Sequence, residues 1–129
     1  LIGVNDVWHE IMFQNGVCAG RYEEYYNIII DEVTKALPNL KIMILEPFVL
    51  KGSSTEENWD IFRTGVENMA VCARRVAQKN NLKFVPLQES FDEAYKKTEM
   101  GYWLFDGVHP TAAGHELIAR AWIDAFKEL

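Results

Sequence analysis

The chain has 129 residues, 49% of them hydrophobic and 25% charged, which suits one compact domain with its own core. Thirteen Lys and Arg against nineteen Asp and Glu leave a formal net charge of −6, and the basic residues form no continuous patch, which argues against a nucleic-acid partner. No apolar run approaches the roughly 20 residues of a membrane span, and Cys18 and Cys72 are too few for a disulfide framework.

Leu1-Ile2-Gly3-Val4 opens the chain with strand-forming residues and no polar lead-in, so it reads as the end of a strand, with Asn5 and Asp6 at its carboxyl end. Asp6, His9 and Glu10 hint at metal ligation, but no second histidine falls at helical spacing, and an exposed or rim position is the simpler reading. Cys18, in a loop before Ala19-Gly20, reads as structural. Tyr22, Tyr25, Tyr26, Ile29, Val33 and Leu37 then recur at spacings of three and four, which predicts an amphipathic helix over 22–37 ended by Pro38. Lys41 to Leu45 is a short apolar run suited to a strand covered on both faces, and Glu46 after it suits a structural salt bridge.

Beyond a loop over 51–54, Ser54 and Glu57 make a capping box for a helix reaching about Gln78, with Trp59, Phe62, Val66, Met69, Ala70, Ala73, Val76 and Ala77 as its apolar stripe. Cys72 falls on that stripe as a small core residue, and Asn80-Asn81 ends the helix. A strand is predicted over 82–87, a short helix over 89–97 and a last helix over 111–127, burying Leu117, Ile118, Ala121, Trp122, Ala125 and Phe126. Alternating strands and helices of these lengths imply right-handed crossovers and a parallel α/β/α three-layer sandwich, with functional groups gathered beyond the carboxyl ends of the strands.

Two segments carry chemistry at that edge. Asp106-Gly107-Val108-His109-Pro110-Thr111 sets a carboxylate and an imidazole three residues apart before a helix. A carboxylate that accepts the Nδ1 hydrogen of histidine fixes the tautomer in which Nε2 takes a proton from a nucleophile. Asn5 offers an amide that can donate to a developing oxyanion. Taken singly, each segment also fits a plain turn or helix entry. Trp8 and Trp103 suit either a pocket wall or core packing, and His115 on the last helix reads as solvated.

Together, Gly3-Val4-Asn5-Asp6 and Asp106-Gly107-Val108-His109-Pro110-Thr111, about 100 residues apart, resemble the third and fifth blocks of the SGNH (GDSL-type) esterase and lipase family. Glu46-Pro47-Phe48, Tyr102-Trp103 and Ala113-Gly114-His115 are also similar to many members, so the resemblance runs through the whole chain. It implies a flavodoxin-like sandwich, with this chain supplying about three of five strands as the carboxyl-terminal part of a single domain. It also implies hydrolysis of short acyl or acetyl esters, including those on carbohydrates, through an acyl-serine. Asn5 would then serve the oxyanion hole, His109 acid–base catalysis and Asp106 the orientation of His109, with no cofactor and no metal.

The family's Gly-Asp-Ser nucleophile block and its second-block glycine find no match here. Ser53 and Ser54 lie in a capping loop and Ser90 opens a short helix, none in the strand-to-turn setting of an exposed nucleophile. The expectation is a chain inactive alone, its Leu1–Val4 strand edge paired with a companion fragment or another copy, acting on a small-molecule ester once the serine is supplied. Two other readings stand beside it: a catalytically silent α/β binding module, and a metal-dependent hydrolase using Asp6, His9, Asp106 and His109.

Overall fold

The computed structural model describes residues 1–129. It orders the chain as α1 (Val4–Phe13), α2 (Ala19–Ala36), β1 (Met43–Leu45), α3 (Trp59–Lys79), β2 (Lys83–Val85), α4 (Gln88–Tyr95) and α5 (Ala112–Phe126). β1 and β2 pair in parallel, Met43 opposite Lys83 and Leu45 opposite Val85, and their crossover helix α3 packs on both. Alternation along each strand divides the interior in two. Ile44 and Phe84 enter a core shared with α1, α2 and α3, whereas Met43, Leu45 and Val85 enter a second core under α4 and α5. Helices thus cover both faces of a parallel sheet, giving the expected α/β layering.

The sheet has two strands rather than three. Leu1–Gly3 form no strand: Gly3, at φ 127°, leads directly into α1. Val4, Val7, Trp8 and Ile11, spaced by three and four, pack into the α3 core, so helical periodicity outweighs the strand preference of the first four residues. The strand edge expected along Leu1–Val4 is therefore absent, and β1 and β2 each have one unpaired edge.

α3 follows its stripe, burying Phe62, Val66, Met69, Cys72, Ala73, Val76 and Ala77. Its start does not, because Asn58 precedes the helix without a side-chain capping bond and the Ser54–Glu57 box is absent. Residues 53–58 turn instead around Thr55, which is fully buried. In α2 the covered residues are Tyr22, Tyr26 and Ile30, while Tyr25, Ile29 and Leu37 face solvent. The apolar arc of α2 is wider than the surface α3 covers. α5 buries Ala125 and packs Leu117, Ile118 and Ala121 against the second core, but Trp122 and Phe126 stack on each other at 5.0 Å and remain exposed.

Glu46 fills the structural role expected of it. One carboxylate oxygen accepts the Leu87 and Gln88 N–H groups at 2.7 and 2.9 Å, satisfying the start of α4, and Arg74 stands 3.7 Å from the other. Gln88 in turn clasps Val49, donating to its carbonyl at 2.9 Å and accepting its N–H at 3.0 Å, which fixes the segment after β1. No helix is long and apolar enough to cross a membrane.

Candidate active site

Asp106 and His109 occupy the tip of a loop that closes on itself. Leu104 and Pro110 form an antiparallel bridge, and the Phe105 N–H donates to the His109 carbonyl at 2.8 Å. Leu104 is anchored in the second core and Val108 in the first, so the tip is pinned from both faces of the sheet. Gly107 makes the bend at φ 99°. A Cβ there would stand 2.5 Å from Thr55 Oγ1 and 2.6 Å from the Leu50 carbonyl, so only glycine fits.

The segment after β1 cradles this tip. Leu50 N–H donates to the Gly107 carbonyl and Ser54 N–H to the Asp106 carbonyl, both at 3.0 Å. A Cβ on Gly52 would meet Gly107 N at 2.3 Å, so the two backbones touch where side chains cannot intervene. The Thr55 hydroxyl holds the cradle, donating to the Leu50 carbonyl at 2.7 Å and accepting Gly52 N–H at 2.9 Å. On the far side the Thr111 hydroxyl caps α5, accepting Gly114 N–H at 3.2 Å and donating to the Tyr102 carbonyl at 2.7 Å. Gly52, Thr55 and Gly107 escaped the sequence reading as site residues. The two glycines were the available signal, because each marks a close backbone approach.

Within the tip, Asp106 Oδ1 accepts the N–H groups of Val108 and His109, each at 2.9 Å, and Oδ2 lies 2.8 Å from His109 Nδ1. Partial burial pushes the Asp106 carboxyl up, but the His109 N–H, the imidazole and the Val108 N–H together hold it below its ordinary 3.8. Asp106 is thus an ionised, fixed acceptor at neutral pH. The side chain of Asp106 is 23% exposed and that of His109 65%, so the imidazole stands open beyond its anchored carboxylate. A carboxylate so placed selects the Nδ1–H tautomer and leaves Nε2 as the proton acceptor.

α1 brings Trp8 to this edge. Trp8 packs beside His109 with ring centroids 5.8 Å apart and makes an edge contact with Phe62 at 6.0 Å. Asn5 lies one turn earlier on the same helix and is exposed; it occupies the first turn of α1 rather than the end of a strand. Gly3 is buried, and a Cβ on it would meet Met69 and Pro47 at 3.2 and 3.3 Å. No serine hydroxyl hydrogen-bonds to His109, although the Ser54 backbone touches the loop.

The remaining candidates separate from the pair. His9 sets its ring edge against Phe13, Glu10 accepts Gly16 N–H at 3.0 Å, and no three His, Cys, Asp or Glu side chains stand close enough to hold a metal ion. Cys18 is exposed and unpaired. A surface cavity of about 950 Å³ lies between α3 and α4 rather than at His109. Its central arginine is committed to neighbouring carboxylates: Arg63 makes two 2.9 Å bonds to Asp92 and one of 2.6 Å to Glu67.

The parallel α/β layering thus sets an Asp–His pair in a loop beyond its strands, at the edge where ligand sites of such sheets form. The chain belongs to the GDSL-like lipase/acylhydrolase family, whose pattern residues 1–117 match. It is 30% identical over 127 residues to an acetylxylan esterase of Geobacillus stearothermophilus, covering 95% of this chain and 55% of that protein. A structure from Parabacteroides merdae described as a GDSL-like lipase superposes with a TM-score of 0.89 at 34% identity, over 97% of this chain and 57% of that one. The Geobacillus acetylxylan esterase superposes at 0.80 with 27% identity, over 96% and 56%. The chain therefore spans little more than half the length of these relatives.

Proposed function

We propose that this chain carries the acid–base half of a serine esterase site that cleaves short acyl esters, acetyl groups on carbohydrate among them. The nucleophilic serine comes from a segment outside residues 1–129. The observation that supports this most is the Asp106–His109 geometry, a 2.8 Å contact to Nδ1 from a carboxylate whose other oxygen is held by two backbone N–H groups. His109 Nε2 accepts the serine proton as the hydroxyl attacks the ester carbonyl, then returns it to the departing alcohol; water repeats the cycle to release the acid. The Asn5 amide donates to the tetrahedral oxyanion, a contribution of about 2.7–4 kcal/mol in well-placed cases.

Likeness to the Geobacillus enzyme supports the acetyl assignment. Two solved forms of that enzyme are catalytic mutants, one replacing a serine early in its chain and one an aspartate late in it. That order supports a serine that stands well ahead of the aspartate–histidine pair in the whole protein. The test is acetate release from acetylated xylo-oligosaccharide by the 129-residue chain alone and mixed with a serine-bearing segment of the family. No turnover alone, turnover with the segment and its loss in His109→Ala are expected. Hydrolysis by the chain alone, abolished by changing Ser90 or Cys18, would place the nucleophile within it. Assembly without any hydrolysis would favour a binding module.

A further inference from the structure

We propose that Trp8 is a positioning residue for His109: its indole, braced on Phe62, closes off the ring rotation that the Asp106 contact alone leaves open. This rests on the reading of His109 as the proton acceptor of an esterase site. Asp106 Oδ2 meets the imidazole at one atom, Nδ1, at 2.8 Å. The terminal torsion of a histidine is broad and roughly two-fold, so a single contact gives the ring a pivot and leaves its plane free. The His109 side chain is 65% exposed, and water competes for the same N–H. A ring turned over about its Cβ–Cγ bond sets a C–H against the carboxylate, and the preference for the Nδ1–H tautomer goes with the lost contact. Holding the plane takes a second contact.

Trp8 supplies it. Its ring centroid stands 5.8 Å from that of His109 with the planes tilted by 52°, inside the range in which aromatic pairs attract. The indole is itself braced: it sets an edge contact with Phe62 at 6.0 Å and 76°, and Phe62 is only 1% exposed in the first core. Beneath it α1 is pressed onto α3, since a Cβ on Gly65 would stand 2.7 Å from Val7 Cγ1. Val7 seats the helix at that close approach, and Trp8, the next residue, meets the loop. Val108, next to His109 in the chain, is buried in the same core. Indole and imidazole are thus anchored to one set of packed side chains, so their separation does not drift with the exposed part of the loop. Trp103 does not share this role, because it packs against the second core and makes its ring contact with Tyr102.

The experiment is nitrogen-15 NMR of His109 in the 129-residue chain, which needs no serine. Trp8→Leu keeps an apolar side chain on the Phe62 core and removes the ring beside the imidazole. The ratio of Nδ1–H to Nε2–H in the neutral ring should then fall about two- to tenfold, the weight of one aromatic pair. Trp8→Phe restores a ring and should recover most of the ratio. Trp122→Leu removes an aromatic that stacks on Phe126 instead, and should leave the ratio unchanged. Circular dichroism checks that the variants fold. In the wild type, cross-relaxation between indole and imidazole protons is expected and depends on no variant. In the assembled esterase Trp8→Leu should lower kcat by a similar factor with KM little changed, because a misaligned imidazole impairs proton transfer rather than binding. A folded Trp8→Leu chain with the wild-type ratio, a Trp8→Phe chain as disturbed as Trp8→Leu, or no cross-relaxation in the wild type would each overturn the proposal. A tautomer ratio that follows Trp8 without acetate release by the assembled esterase would leave the contact assigned and contradict the esterase reading, so the two failures are distinguishable.

Discussion

The carboxylate of Asp106 does two things at once: it fixes the loop through two N–H groups and fixes the imidazole through the third contact. Asp106→Asn keeps the size and loses the preference for the Nδ1–H tautomer, so turnover of the assembled esterase should fall about ten-thousandfold, read from the rate of acetate release. Stability should respond as well, with a defined sign. Because the folded state holds this carboxyl below its ordinary 3.8, the wild type is stabilised relative to Asp106→Asn above that pH. The advantage vanishes as pH falls through the lower folded value. Urea unfolding at neutral and at acid pH measures the gap. Glycine positions give a second contrast. Gly107→Ala combines φ 99° with a 2.5 Å clash, and should cost about 1–3 kcal/mol or more in the same assay. Gly20→Ala, with nothing within 4 Å of the added methyl, should stabilise by about 0.4–1 kcal/mol.

Among the elements, α3 was legible in the sequence because its stripe is covered along its whole length, so periodicity and burial coincide. α2 was legible as a helix but not as a face. Its apolar residues occupy an arc wider than one neighbour can cover, and spacing alone does not say which half is covered. α1 was lost to its opening residues, where Leu1, Ile2 and Val4 suggest a strand and only Val7, Trp8 and Ile11 add the helical period. The Asp106–His109 pair was legible because both partners lie in one short loop. Thr55 and Gly52 were not, since the contact they make with that loop joins residues about 50 positions apart. Glu46 connects the elements to the site by capping α4 and holding the residue 46–50 segment. Glu46→Ala should therefore cost about 1–2 kcal/mol in urea unfolding. Removing the exposed Glu93–Lys96 pair should change stability by less than about 1 kcal/mol.

At the scale of the molecule, helices cover both faces of a sheet two strands wide and enclose two separate cores. A segment that binds only the folded chain must stabilise it, by about 2.7 kcal/mol when present at a hundred times its dissociation constant. The melting temperature of the 129-residue chain should rise with the concentration of a serine-bearing segment of the family. At every scale, the proposed function depends on one imidazole held in one tautomer. Nitrogen-15 NMR of His109 in the 129-residue chain reads that tautomer directly. In its neutral form the ring should carry its proton on Nδ1, with Nε2 free and the preference lost in Asp106→Asn; a proton residing on Nε2 would contradict a poised general base.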